Sequence, residues 1–278
     1  GILPNEDRDA AELVQQSMGR DGVTLLCCGK DLRVEQVSDG KRLVVDSHGQ
    51  HYALTVDEIL VGVGRAPNVH GLGLEKVGVD YDHKGITVND RLETRNPRIY
   101  AAGDVCSQYK FTHAADAMAQ IVIQNALFPH PFGLGYASVQ SLNMPWCTFT
   151  APEVAHVGVY EAEAAKQGLK VETYTYKFDE VDRAILDGDE DGFARLHIQA
   201  GTDRILGATI VGSHAGDLIS EVSVAMKAGA GAKTIAATIH PYPTRAEVIK
   251  KAVNLWRKAH FTPRTKSLLT RLFAWMRR

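Results

Sequence analysis

The spacing of hydrophobic and polar positions divides the chain into stretches with different predicted structure. Residues 4–20 carry acids at their start and apolar residues at helical intervals, which predicts a helix whose first-turn acids suit its dipole. Short β-like runs follow, and glycine-containing turns at 38–40 and 48–49 indicate hairpins between the later ones. The predicted strands of this stretch are 23–28, 32–37, 42–46 and 52–56.

The apolar run 58–64 predicts a buried core strand that ends in a glycine turn at Gly64. Pro67 disfavours helical backbone in the residue before it, so no helix is expected directly after this turn. Nowhere in the sequence does a G-x-G-x-x-G motif lead into a helix, although α/β nucleotide-binding units normally open with one. The sequence therefore indicates only the later part of such a unit.

A second apolar run, 99–102, predicts a buried strand that ends at Gly103 and Asp104 and leads into a helix over 113–127. Glycine at the end of the strand lets the backbone approach a ligand closely. The carboxylate of Asp104, at the carboxyl edge of the strand, can accept hydrogen bonds from sugar-like hydroxyls. The N-terminus of the following helix can face an anion or an electron-rich ring.

Residues 146–258 form a third stretch, whose order of strands and helices predicts an antiparallel sheet with helices on one side. The fold class is therefore α/β, with an α+β domain as its last large part. The predicted strands are 147–149, 153–157, 171–177, 193–198 and 205–211, and the predicted helices are 160–167, 215–228 and 244–258.

Composition and charge exclude some classes of function. The formal net charge of −2 gives no indication of nucleic acid binding, and no run of about 18 apolar residues predicts a membrane span. The four cysteines have no zinc-site spacing and fit a reducing cytoplasm better than a disulfide framework. His214, Asp217 and Glu221 have a spacing that a metal site can use, but a polar helix face is the favoured interpretation, and no metal is expected.

The C-terminal 22 residues have a different character from the rest. They contain seven Lys or Arg and no acid, so the remaining chain sums to −9. Leucine, phenylalanine and methionine recur at helical spacing from residue 263 onward, which predicts an amphipathic helix with a basic face. Weak contact with an anionic membrane surface and packing on its own domain both remain open for 263–278.

Four motifs follow one another along the chain. In chain order they are Gly62-Val-Gly-Arg-Ala-Pro-Asn68, Thr94-Arg-Asn-Pro-Arg-Ile-Tyr-Ala-Ala-Gly-Asp-Val105, Thr148-Phe-Thr-Ala-Pro-Glu-Val-Ala-His-Val-Gly158 and His240-Pro-Tyr-Pro-Thr-Arg-Ala-Glu247. Over about residues 2–258, the chain resembles the class I pyridine-nucleotide disulfide oxidoreductases, a family that includes glutathione reductase, dihydrolipoamide dehydrogenase and mercuric reductase.

The resemblance implies specific cofactors and roles. Gly103 and Asp104 match the motif that holds the ribityl chain of FAD, and His113 matches a helix start beside the flavin ring. Gly64 and Arg65 match the exit of the NAD(P)-binding domain; Arg65 either contacts the nicotinamide ribose or pairs with an acid. The implied organisation is the distal part of an NAD(P)-binding domain (1–68), the C-terminal part of an FAD-binding domain (69–139), a dimerisation domain (140–258) and a basic tail (259–278). A homodimer is implied because the 240–247 segment reaches a partner's flavin in this family.

Two departures from the family pattern change the expected activity. Tyr242 stands where the family has its second histidine, the general acid/base, while Glu247 keeps the position of the orienting carboxylate. A phenol has a pKa of about 10 against about 6.5 for imidazole, so Tyr242 is a poor base at neutral pH. Disulfide exchange is therefore disfavoured against a metal-ion or other small-molecule acceptor, and His240 is a further catalytic candidate.

The second departure is that the first FAD glycine motif, the redox cysteine pair and the NAD(P) glycine fingerprint are missing from the sequence. We therefore expect a fragment of an FAD-dependent NAD(P)H oxidoreductase that is inactive alone. The alternative is a non-catalytic dimerisation or binding module.

Overall fold

The computed structural model describes residues 1–277, so Arg278 of the predicted tail lies outside the described residues. The chain packs as two compact units: residues 1–38, 42–55 and 145 onward form the first, and residues 39–41 and 56–144 form the second. In chain order the helices and strands are α1 (Arg8–Arg20), β1 (Lys30–Val37), β2 (Gly40–Ser47), β3 (Gln50–Val56), β4 (Tyr81–Asp82), β5 (Gly85–Ile86), α2 (Thr112–Leu127), β6 (Trp146–Thr148), β7 (Glu153–Gly158), α3 (Glu161–Lys166), β8 (Val171–Lys177), α4 (Asp182–Asp187), β9 (Phe193–Gln199), β10 (Ile205–Gly212), α5 (Ala215–Lys227), α6 (Ala232–Ala237), α7 (Glu247–Ala259) and α8 (Pro263–Met276).

The first unit is built on a five-stranded antiparallel sheet. Its strand order is β6-β7-β10-β9-β8, and Thr209 on the central strand lies opposite His156 on β7 and Arg195 on β9. The side chains of a strand alternate between the two faces, so Ala155 and Val157 enter the large core that includes residues of α5, α6 and α7. The predicted α/β fold class and the predicted antiparallel sheet are confirmed.

Helices cover both faces of this sheet, so the prediction of helices on one side alone is wrong. Ala10 and Val14 of α1 are buried against Val154, Phe193 and Val211, which point away from the large core. The cause is the strand pattern itself: β7, β9 and β10 carry apolar residues at successive positions, so both faces of the sheet need cover.

The predicted meander is present as a three-stranded sheet in the order β1-β2-β3. The predicted strand at 23–28 is wrong, because this segment has no regular structure and ends in a turn at Cys27 and Cys28. Gly22 and Cys28 have φ of 83° and 60°. Left-handed backbone at both ends interrupts an extended strand before it can pair.

The second unit contains α2, the β4–β5 pair and several loops. The predicted core strand at 58–64 is wrong: Leu60, Val61 and Val63 are 98%, 73% and 92% exposed. Among the described residues no strand pairs with this run, so its apolar side chains have no sheet neighbour against which to pack. The run 99–102 is likewise not a regular strand, since only Tyr100 forms an isolated bridge, with Glu93.

The remaining predictions concern helices. The predicted helix at 4–20 begins at Arg8, and the predicted helix at 113–127 is confirmed as α2. The short helices α4 and α6, of six residues each, were not predicted. No helix within residues 1–277 combines the length and the apolar character needed to cross a bilayer.

Candidate functional site

A tight turn at Gly103–Val105 positions the first group of predicted site residues, in the second unit. Gly103 has φ 77°, a conformation that favours glycine. A Cβ at this position would lie 2.8 Å from the Cβ of Ala115 on α2. The turn can therefore pack on α2 only because residue 103 has no side chain.

Asp104 is the exposed residue of this turn. Its backbone carbonyl accepts a 3.3 Å hydrogen bond from Nζ of Lys110. Gly103 beside it is buried, and its N–H donates to the sulfur of Met118 at 3.4 Å. The turn thus has a fixed inner side against α2 and presents one carboxylate outward, where it can accept hydrogen bonds from ligand hydroxyls.

The segment that contains Gly64 and Arg65 approaches the loop after this turn. The guanidinium of Arg65 donates to the backbone carbonyl of Lys110 at 2.9 Å. From the sequence, two alternative partners are expected for Arg65, the nicotinamide ribose and an acid. Among the described residues, no acid forms an ion pair with it. Gly64 has φ 119° and is exposed, so the backbone here is open to a ligand.

His113 lies in the first turn of α2, three residues after Lys110. Its ring stacks on Phe111 with centroids 5.2 Å apart and an interplanar angle of 6°. Phe111 is the N-cap residue of α2 and makes no side-chain cap hydrogen bond. All five predicted cofactor residues therefore belong to the second unit, and Arg65, Asp104 and His113 border one loop.

The first unit contains the other predicted group, in the segment 240–247. The phenol of Tyr242, which is 70% exposed, donates a 2.6 Å hydrogen bond to Oδ2 of Asp182 at the start of α4. This hydrogen bond raises the pKa of Tyr242 above its usual value, because an ionised phenolate would face a carboxylate. Tyr242 therefore stays protonated and donates a hydrogen bond, and the phenolate that could accept a proton is even scarcer at neutral pH than for a free phenol.

His240 does not share the exposure of Tyr242. Its side chain is only 6% exposed, and Nε2 lies 2.9 Å from Oε1 of Glu221 on α5. Nδ1 lies 3.3 Å from the carbonyl oxygen of Thr238. The ring is engaged on both nitrogens, so it anchors the beginning of the segment to α5.

Glu247, the third predicted catalytic residue, is the first residue of α7. Its Oε2 is buried and has no hydrogen-bond partner among the described residues. The hydrogen bond of Tyr242 goes to Asp182, while Glu247 contributes only a smaller electrostatic effect on the phenol. The structure therefore gives each of the three predicted residues a different environment.

Sequence reasoning missed Asp182 as the partner of Tyr242. The available signal was the acid-rich stretch 179–191, which lies opposite a cation of the 240–247 segment. Arg245 of that segment pairs with Asp187 at 3.1 Å and with Asp189 at 2.9 Å.

Glu221 is also one of three residues, with His214 and Asp217, whose spacing in the sequence a metal site can use. Nδ1 of His214 lies 3.6 Å from Asp217, whereas Glu221 pairs with His240. Within residues 1–277 no group of three or more His, Cys, Asp or Glu is arranged to hold a metal ion.

Two protein-family models match the chain. The model described as pyridine nucleotide-disulphide oxidoreductase matches residues 1–120, which include the turn at Gly103 and Asp104. The model described as the pyridine nucleotide-disulphide oxidoreductase dimerisation domain matches residues 144–253, which include Tyr242 and Glu247. Each match thus contains one of the two groups of predicted site residues.

Individual proteins are similar over most of the chain. A dihydrolipoyl dehydrogenase from Thermus scotoductus is 35% identical over 260 residues, which cover 92% of this chain and 55% of the relative. A mercuric reductase from Staphylococcus aureus is 34% identical over 252 residues, which cover 90% of this chain and 45% of the relative. The chain spans about half the length of these curated relatives.

Solved structures give the same family likeness. The HOCl-induced flavoprotein disulfide reductase RclA from Escherichia coli superposes with a TM-score of 0.80 at 26% identity, over 92% of this chain and 57% of that one. LpdA from Mycobacterium tuberculosis superposes with a TM-score of 0.81 at 25% identity, over 92% of this chain and 54% of that one.

Proposed function

Because the chain belongs to the pyridine nucleotide-disulphide oxidoreductase family, we propose that it forms part of an FAD-dependent NAD(P)H oxidoreductase. Members of this family use FAD and NAD(P)H. When bound, FAD supplies the two-electron carrier that links NAD(P)H to a final acceptor. The proposed acceptor is a disulfide, a metal ion or another small molecule.

The turn at Gly103 and Asp104 is the observation that carries this proposal. Gly103 allows the turn to pack directly on α2, and Asp104 presents its carboxylate on the outer side. A residue with a side chain at 103 would push the turn away from α2 and displace that carboxylate. The arrangement fits a ligand with several hydroxyls, as the ribityl chain of FAD has. We propose that Asp104 accepts hydrogen bonds from those hydroxyls and that Arg65 and His113 border the same ligand.

We propose that the chain contains parts of two nucleotide-binding domains followed by a dimerisation domain. Residues 1–68 form the distal part of the NAD(P)-binding domain, residues 69–139 the C-terminal part of the FAD-binding domain, and residues 140–258 the dimerisation domain. The family match at 144–253 supports the last of these parts, and the match at 1–120 covers most of the first two without dividing them. The dimerisation-domain match also supports a homodimer, in which the 240–247 segment acts at the partner's flavin.

The environment of Tyr242 favours a metal ion or other small molecule over a disulfide as the acceptor. Disulfide exchange in this family uses the histidine at this position as its acid/base. Asp182 raises the pKa of the phenol that stands there, so Tyr242 stays protonated at neutral pH, donates a hydrogen bond and is not available to accept a proton. An acceptor that needs no base at this position fits better.

We also propose a cytoplasmic location, which the unpaired state of Cys27, Cys28, Cys106 and Cys147 supports. We expect no turnover from residues 1–278 alone. The first FAD glycine motif, the redox cysteine pair and the NAD(P) glycine fingerprint are missing from the sequence. Cofactor binding, rather than turnover, is therefore the property to measure first.

Titration of the purified chain with FAD, followed by flavin fluorescence and by retention of yellow colour on gel filtration, tests the proposal. The matched variants are Asp104→Asn and Asp116→Asn, since Asp116 is an exposed acid of α2 outside the motif. We expect the unaltered chain to bind FAD and the Asp104 variant to bind it about tenfold more weakly or worse. The reason is that the variant loses about one hydrogen bond to a charged group. Asp116→Asn should bind as the unaltered chain does.

A colourless chain with unchanged FAD fluorescence would contradict cofactor binding. If such a chain were also dimeric in sedimentation analysis, it would be the alternative, a non-catalytic dimerisation module. Equal loss of FAD binding in both variants would show that general negative charge, and not the position of Asp104, is responsible.

A further inference from the structure

The C-terminal helix α8 has an apolar face that the described chain leaves largely exposed, since Leu269 alone among its large apolar residues is partly buried. Counted at 3.6 residues per turn, its large apolar residues fall within one arc of about 160°. Their side chains are exposed to a degree that is unusual for such residues in a folded protein. The exposed fractions are 68% for Leu268, 44% for Leu272, 51% for Phe273, 73% for Trp275 and 66% for Met276.

Cations border this face. Lys266 and Arg277 follow one edge of the apolar arc, Arg271 lies beyond the other edge, and all three residues are exposed. Residues 257–278 contain no acid, whereas the remaining chain sums to −9. The charge of α8 is therefore of one sign only and is not neutralised within the helix.

Local signals fix the start of α8. Oγ1 of Thr262 accepts a 3.2 Å hydrogen bond from the N–H of Thr265, and Pro263 occupies the first helical position. The helix has 14 residues and a length of about 21 Å. A membrane span needs about 20 apolar residues, so α8 can lie along a bilayer but cannot cross it.

We propose that α8 binds the surface of an anionic lipid bilayer. Its apolar face enters the boundary between headgroups and acyl chains, and Trp275 lies at headgroup depth, where tryptophan is favoured. Lys266, Arg271 and Arg277 contact the lipid phosphates. The folded body carries the opposite charge and stays in the aqueous phase.

The α8 helix of a second copy is a poorer occupant of the same face. A symmetric contact between two α8 helices brings the same patch of each copy together. Lys266 and Arg271 of one copy would then lie near their equivalents in the other. Like charges at close range repel, whereas lipid phosphates neutralise them. An anionic bilayer complements both the apolar arc and its basic borders.

Flotation of the chain with phosphatidylcholine vesicles, with and without phosphatidylglycerol, tests this proposal. We expect binding to the anionic vesicles alone, and a decrease as salt increases. Leu268→Glu combined with Leu272→Glu should abolish binding. Lys266→Glu combined with Arg271→Glu should reduce it by about tenfold or more. Ser267→Ala, on the polar face of α8, is the matched control and should bind normally.

Tryptophan fluorescence provides a second measurement. Trp275 is 73% exposed, whereas Trp256 is only 5% exposed and Trp146 is partly buried, so a blue shift on adding anionic vesicles should come from Trp275 and disappear in Trp275→Phe. Absence of binding to anionic vesicles at low salt overturns the proposal. So does lipid-independent self-association that Leu272→Glu abolishes, which assigns the face to a second copy. Binding to polyglutamate as strong as to vesicles assigns it to an acidic polypeptide and also overturns the proposal.

Discussion

The phenol of Tyr242 donates a 2.6 Å hydrogen bond to Asp182, although the carboxylate of Glu247 lies five residues further along the same segment. The family resemblance had implied that Glu247 orients the group at position 242. Instead, Asp182 fixes the phenol, and Oε2 of Glu247 is buried without a partner among the described residues. In the 240–247 segment, the side chain at position 242 is therefore held by a carboxylate from α4.

This hydrogen bond predicts an effect on the ionisation of Tyr242. Replacing Asp182 by Asn removes the negative charge that faces the phenolate, so the pKa of Tyr242 should fall toward its ordinary value of about 10. The pKa is measured by NMR of chain labelled with ¹³C at the tyrosine ζ carbons, and Tyr242→Phe identifies the resonance. Asp179→Asn, a change to a nearby acid, should leave the pKa of Tyr242 unaltered. An unchanged pKa in Asp182→Asn would show that the phenol has another partner in solution.

The ion pair between the buried side chain of His240 and the partly exposed Glu221 predicts a local stabilising role. Glu221→Ala leaves Nε2 of His240 buried without its partner, which should cost about 1–3 kcal/mol of unfolding free energy. Amide hydrogen exchange in 238–247 should become faster, because the segment loses its anchor to α5. Glu221→Gln keeps an oxygen at the same place and should retain most of the protection. Equal exchange in the Ala variant and the unaltered chain would exclude an anchoring role.

Strands β7 to β10 could be predicted because each one shows its hydrophobic pattern within a single continuous stretch of sequence. The runs that became β7 to β10 alternate or continue over six or more residues, and their predicted bounds differ from those observed by at most one residue. The run at 58–64 shows the limit of such patterns. An apolar run predicts a core strand only if other strands flank it, and the described residues provide no neighbour for Leu60 or Val61.

The candidate site was predictable to a different degree in each unit. The motif around Gly103 and Asp104 lies within one continuous stretch, so its turn and the following helix could be predicted from the sequence. The partner of Tyr242 is 60 residues away, on a helix of six residues with no clear amphipathic period. A contact between such distant residues depends on how α4 lies against the 240–247 segment, which a single sequence does not contain.

The close packing of Gly103 on α2 predicts that alanine is not tolerated there. Gly103→Ala adds backbone strain at φ 77° of about 1–2 kcal/mol and a clash with Ala115 of about 1–3 kcal/mol. The matched control is Gly78→Ala, because Gly78 has φ 70° but no atom within 4 Å of the added Cβ. Urea unfolding should therefore show a larger loss for Gly103→Ala than for Gly78→Ala. Equal losses would show that α2 moves freely away from the turn.

His156 is completely buried on the same face of the antiparallel sheet as Val154. Its ring stacks on Tyr160 with centroids 3.6 Å apart, and Nδ1 lies 2.8 Å from Oγ1 of Thr209. Burial lowers the pKa of His156 to about 3, and burial also lowers the pKa of His197 on the same face. The folded state therefore keeps His156 neutral while the unfolded chain binds a proton below about pH 6.5.

The free energy of unfolding should therefore decrease as the pH falls from about 6.5 toward 3. Between about pH 7 and pH 5 the contribution of His156 alone is about 2 kcal/mol, because only the unfolded chain takes up the proton in this range. Urea unfolding at the two pH values measures this difference, which His156→Gln should reduce by about the same amount. His48→Asn, a change at an exposed histidine whose left-handed backbone asparagine tolerates, should leave it unchanged. If His156→Gln retained the full pH dependence, the proton would have to be taken up elsewhere, and His197 would be the first residue to replace.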